Sequence, residues 1–173
     1  MAGSLNLIQK ITLSTPTASA VLTGIDSTYN VYKIVFENVV PATDNVKLQA
    51  RFQNGSGDVT SSNYDFAHKV LKTAGAFDND AAQGATAFDL TDQELGTGTQ
   101  QTGNGVMYLF NTSNSGEYSM YTLESVCIDD NGNLFGNQGG GVLEVAEAHT
   151  AIKLYMASGN IASGEFKLYG LRK

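Results

Sequence analysis

Five apolar runs follow one another over residues 105–173, and clusters of turn formers separate most of them. They read GVMYLFN, EYSMYTLESVCID, NLFGNQGGGVLEVA, HTAIKLYMA and SGEFKLYGLRK, with NTSNSG, DNGN and SGNIA among the links. A parallel crossover needs a dozen or more residues, so links this short predict antiparallel neighbours. Within HTAIKLYMA, Ile152, Leu154 and Met156 share one side while Lys153 and Tyr155 take the other. A period of two gives a strand with one dry and one wet face. The closing run obeys the same rule: Gly164 and Gly170 bracket it, Phe166 and Leu168 face a core, Lys167 and Tyr169 face outward, and Arg172 and Lys173 are left in solvent.

The first half repeats the pattern. In NVKLQARF, Val46, Leu48, Ala50 and Phe52 alternate with Lys47, Gln49 and Arg51. TYNVYKIVFENVV carries Tyr32, Ile34, Phe36 and Val40 on one side and Val31, Val35 and Val39 on the other, which suits a central strand at least partly buried on both faces. The turn-rich PATDN between these two runs predicts an antiparallel hairpin. YDFAHKVLK fits a helix face through Tyr64, Ala67, His68 and Leu71, but the alternation of Tyr64, Phe66, His68 and Val70 favours a strand. Residues 73–104 shift to Gly, Ala, Asp, Thr and Gln, with Phe77, Phe88, Leu90 and Leu95 as anchors. A connection this long inside a compact domain usually carries function or meets a partner.

No heptad, βαβ alternation or fixed-period repeat is present, which removes coiled coils, doubly wound folds and solenoids. Two prolines and nineteen glycines among 173 residues suit short strands and polar turns. The expectation is one all-β domain over 1–173, an antiparallel β-sandwich, jelly-roll-like, of about nine or ten strands.

The net charge of −7 argues against nucleic acid as a partner, since binding a phosphate backbone takes clustered lysine and arginine. The opening MAGSLNLIQKITLS lacks a signal-peptide pattern and no segment has a membrane span's apolar length, so a soluble protein made in a cytoplasm is expected. Cys127, flanked by Val126 and Ile128, reads as a buried inert thiol.

Catalytic chemistry is sparse. His68 and His149 are the available neutral-pH bases, and neither sits beside a recognisable nucleophile. Gly55-Ser56-Gly57 is too short for a nucleophile elbow, and Gly96-x-Gly98 precedes a strand where a phosphate cradle needs a helix. Asn-Gly-Ser at 54–56 and Asn-Thr-Ser at 111–113 match a glycosylation sequon, which without an export signal carries little weight. Two acidic turns, Asp78-Asn79-Asp80 and Asp129 to Asn133, pose the question of calcium; Gly132 stands at the wrong place for an EF-hand loop, and Asn131-Gly132 reads better as a hairpin turn. Glu124 shares its phase with Met120, Thr122, Val126 and Ile128, and a glycosidase would pair it with Glu37 or Glu144. Eight tyrosines, Tyr29, Tyr32, Tyr64, Tyr108, Tyr118, Tyr121, Tyr155 and Tyr169, permit an assembly surface.

Three segments carry a further pattern: TASAVLTGIDSTYNVYKIVFENVVPATDNVKLQARF, NYDFAHKVL and HTAIKLYMASGNIASGEFKLYGLRK. Together they resemble a family of small tailed-bacteriophage virion proteins, common in phages of marine bacteria. Those proteins open on a Ser/Thr-rich strand, pass through a "gI.stY..Y.i" segment and end on a glycine-bounded "G.F.LYGL" strand. The likeness spans nearly the whole chain, and the ending is its most specific part. It implies a non-enzymatic structural part of the virion, a tail-fibre, appendage or head-decoration component assembled in the bacterial host cytoplasm. Its partners would be other capsid or tail proteins and copies of itself, with a trimer the number expected from family habit. It carries over no catalytic, cofactor or metal residue. The alternative is a carbohydrate- or host-receptor-binding module of a tail fibre, with a host-surface glycan as partner; a glycan depolymerase resting on Glu124 ranks below both.

Overall fold

The computed structural model describes residues 5–92 and 95–171. Among these the chain makes strands and no helix: β1 (Leu5–Leu13), β2 (Ala20–Thr23), β3 (Val31–Pro41), β4 (Leu48–Asn54), β5 (Gly57–Asp58), β6 (Tyr64–Lys72), β7 (Asp78–Ala85), β8 (Phe88–Asp89), β9 (Gly103–Phe110), β10 (Tyr118–Ile128), β11 (Leu134–Ala146), β12 (Ala151–Met156) and β13 (Ile161–Leu171). The excess over nine or ten comes from the two-residue β5 and β8 and from β7, which lies in the 73–104 connection.

Eight strands form one sheet in the order β1-β13-β3-β9-β10-β11-β6-β7, and a smaller sheet runs β2-β12-β4-β5 with β8 also on β4. Every ladder is antiparallel. The chain crosses between the sheets from β1 to β2, β2 to β3, β3 to β4, β5 to β6, β7 to β8, β8 to β9, β11 to β12 and β12 to β13. The block β1-β13-β3-β9 against β2-β12-β4-β5 is thus the double Greek key of a jelly roll, and β10, β11, β6 and β7 widen its larger sheet.

Alternation builds the core. Tyr32, Ile34 and Phe36 of β3, Leu48, Ala50 and Phe52 of β4, and Phe166 and Leu168 of β13 are fully buried. Each large apolar side chain so buried contributes about 1.5–3 kcal/mol. Phe88 packs between Tyr64 and Tyr121, with ring centroids 4.7 and 4.3 Å away. β6 is a strand with Tyr64, Phe66, His68 and Val70 inward, as its alternation indicates.

Several expectations change. PATDN makes no hairpin: β3 pairs with β13 and β9, while β4 pairs with β12, β5 and β8. The segment is an arch between sheets, held beside the β12 to β13 arch by Ala42 N–H donating to Asn160 O at 2.8 Å and Ala157 N–H to Lys47 O at 2.9 Å. Asn38, at φ 51°, slips the phase of β3, so that Val39 and not Val40 is buried. Of the five consecutive runs, β9, β10 and β11 are neighbours, but β12 leaves for the small sheet and β13 returns between β1 and β3. In the long connection Phe88, Leu90 and Leu95 are fully buried, whereas Phe77 is 62% exposed at the mouth of β7. Arg172 and Lys173 lie outside the described residues.

Candidate interaction face

The outer faces of the two sheets differ in chemistry. On the small sheet, polar side chains satisfy one another: Lys153 meets Asp58 at 2.6 Å, Lys47 meets Asp89 at 2.9 Å, and Gln49 and Gln53 donate to Asp89 and Asp58. Arg51 and Lys153 both lie 5.2 Å from the Tyr155 ring centre. This face is closed by its own charges.

On the large sheet, register brings apolar residues into a row. Leu5 stands opposite Leu171, Leu171 opposite Val31, Val31 opposite Phe110, Phe110 opposite Met120, and Met120 opposite Val142. Leu5 and Met120 remain 45% and 46% exposed, and in the next row Leu7 is 55% exposed beside Tyr169. Further along the strands Leu71, Val126 and Leu134 form a second exposed apolar group. A row crossing six strands on a solvent face exceeds the scattered apolar residues normal on a surface.

Below the row the face turns polar. Lys10 and Lys167 grip Glu165 at 2.5 and 2.6 Å, and Lys167 also reaches Glu37 at 2.7 Å. Hydrogen bonds from Lys10 and then Lys167 hold the Glu165 carboxyl down to about 2. Glu124 is exposed, together with Met120, Thr122 and Val126 of its phase, and accepts from Gln138 at 3.3 Å. Tyr108, Thr122, Glu124 and Gln138 surround a depression of about 340 Å³. Glu37 and Glu124 line a neighbouring shallow one, whereas Glu144 lines neither.

The two histidines are buried in separate arrays. His149 Nδ1 lies 2.9 Å from the Ser119 hydroxyl and Nε2 lies 3.3 Å from a Glu147 oxygen, with Phe52 stacked on the ring at 4.6 Å. The order serine, histidine, carboxylate is that of a hydrolase triad, but Ser119 is 0% exposed, so its hydroxyl is sealed from any substrate. Nothing near His149 in the chain signals this array, because Ser119 comes from β10, thirty residues away. Burial pushes the His149 pKa below its usual value, against the upward pull of Glu147. His68 Nε2 lies 2.9 Å from the Tyr121 hydroxyl, and its Nδ1 stands 3.8 Å from Asp80, beyond hydrogen-bonding distance.

Cys127 is buried, and desolvation lifts its thiol to about 12. The segment 78–80 is part of strand β7 and not a turn: Asp78 meets Lys72 at 3.4 Å and Asn79 accepts from Lys69 at 3.1 Å. The 129–133 segment is the β10 to β11 turn, in which Asp129 accepts from the backbone of Asn131 and Asn133 while Gly132 takes φ 83°. Of the tyrosines, Tyr32, Tyr64 and Tyr121 belong to the core, and Tyr108, Tyr118 and Tyr169 face outward on the large sheet.

No family model, curated protein or solved structure matches this chain.

Proposed function

We propose that the chain is a non-enzymatic structural part of a bacteriophage virion, a head-decoration or tail-appendage component, and that it works through contacts made by the outer face of its eight-stranded sheet. The apolar row from Leu5 to Val142 carries this reading, because such a face gains by exchanging water for protein. The resemblance of the opening, middle and closing segments to small virion proteins supports it independently. Both histidines are buried, Ser119 is sealed, and Glu37 is committed to Lys167, so these groups stand in structural roles. Mass spectrometry of gradient-purified particles from an infected host tests the assignment. The protein should co-sediment in constant ratio to the capsid protein, and its absence from intact particles would sink the reading.

One observation favours a second reading, a glycan-binding module. The depression flanked by Tyr108, Glu124 and Gln138 brings a tyrosine beside a carboxylate and an amide, groups suited to a sugar ring and its hydroxyls. Binding of host-surface polysaccharide that is lost in Tyr108→Ala would favour it, and no binding by the wild-type protein would dismiss it.

A further inference from the structure

We infer that the partner of the large sheet's outer face is a second copy of this chain, stacked face to face about a two-fold axis that runs along the strands between β3 and β9. The inference rests on reading this face as a contact surface; it does not depend on where the protein is used.

Charge supplies the first argument. The chain carries −7 overall, yet the outward charges of the six strands β1, β13, β3, β9, β10 and β11 are Lys10, Lys33 and Lys167 against Glu37, Glu124, Glu144 and Glu165, which leaves a single excess negative charge. Two identical acidic molecules repel through most of their surface, and this face carries little of that penalty.

Register supplies the second. The six strands β1-β13-β3-β9-β10-β11 have their midline between β3 and β9, where Val31 stands opposite Phe110. A two-fold on that line lays each residue over the one equally far from it in the same cross-strand row. Leu171 of one copy then covers Met120 of the other, so the apolar row meets itself. In a lower row Lys167 falls over Glu124, which among the described residues has an amide partner, Gln138, and no cation. In the row between, Leu7, the most exposed leucine of β1, falls over Gly140, where β11 has no side chain and leaves room. Strands related in this way run nearly aligned, as packed sheets do.

Area supplies the third. Six strands spaced about 4.8 Å apart and about 30 Å long present roughly 750 Å² in projection. A standard interface takes about 800 Å² per partner. The isologous geometry closes at two copies, so it replaces the trimer expected from family habit.

Sedimentation velocity and mass photometry of the full chain over a range of concentrations test this. Wild type should give the mass of two chains. Met120→Lys places a charge on a side chain already half exposed in the single chain, so melting of the monomer should change little. The symmetric contact meets that charge twice, and the dimer dissociation constant should rise about a hundredfold or more. Met120→Cys combined with Leu171→Cys should crosslink two chains through a short bis-maleimide, because within one chain these positions lie three strand spacings apart, about 14 Å. A monomer at every concentration, a mass of three chains, or a dimer that survives Met120→Lys and gives no crosslink would overturn the proposal. None of these results bears on whether the protein is found in particles.

Discussion

Asn137 is 2% exposed on the inner side of β11, and neither of its amide atoms has a hydrogen-bond partner. An unpaired buried amide costs about 1–3 kcal/mol. Asn137→Leu, close in volume and free of polar atoms, should therefore stabilise the protein by an amount of that order, read as a higher urea midpoint at unchanged m-value. His149 gives a prediction of opposite character. Its pKa is lowered by burial, so the unfolded chain takes up a proton at a higher pH than the folded one. The associated stability is complete above the ordinary value of 6.5, is lost as pH falls through it, and stops falling below the folded pKa. Urea midpoints measured from about pH 7.5 to 5 should fall, and His149→Gln should flatten that dependence. Neither site was legible from the sequence. Asn137 sits in NLFGNQGGG like any polar residue of a turn-rich stretch, and the hydroxyl that meets His149 comes from Ser119 on β10, thirty residues away.

At the level of elements, β11 is unusual in running through Gly139, Gly140 and Gly141 in mid-sheet, where glycine normally weakens a strand. The reason is contact. A Cβ on Gly139 would stand 2.2 Å from the Ala67 carbonyl oxygen and 2.8 Å from the His68 Cα, both backbone atoms that cannot turn aside. Gly139→Ala should cost on the order of 3 kcal/mol, seen as a lower urea midpoint, because β6 must move away. Strands such as β4, β6 and β12 were readable because each has a wet and a dry face. β7 was not: its Asp, Asn, Ala and Gln residues have poor strand propensity, and it is a strand because its backbone pairs with β6. The β3 to β4 arch misled for a related reason. Pro41 to Asn45 has turn chemistry, and turn chemistry does not reveal whether the chain re-enters its own sheet or crosses to the other.

Over the whole molecule, the sandwich follows from alternation and short links, whereas the exposed apolar row follows from register. Phe110 and Met120 each pass as stray apolar residues on a wet strand face; only pairing across strands from both ends of the chain aligns them with Leu5 and Leu171. β13 holds that arrangement together, since it separates β1 from β3 and buries Phe166 and Leu168. Deleting residues 164–173 should abolish the cooperative thermal transition, and a truncated protein that stays soluble and melts sharply would contradict this. The place of β13 also sets a timetable. Thr12 meets Glu165 across 153 positions of sequence, so during synthesis β1 and one edge of β3 must wait for a neighbour made long after them. Through that interval two unpaired strand edges and the aromatic side of β3 stay open to water and to other nascent chains. Slow translation or crowded expression should therefore favour aggregation, and cooling or chaperone supply during expression should raise the soluble yield more than any change to the finished surface.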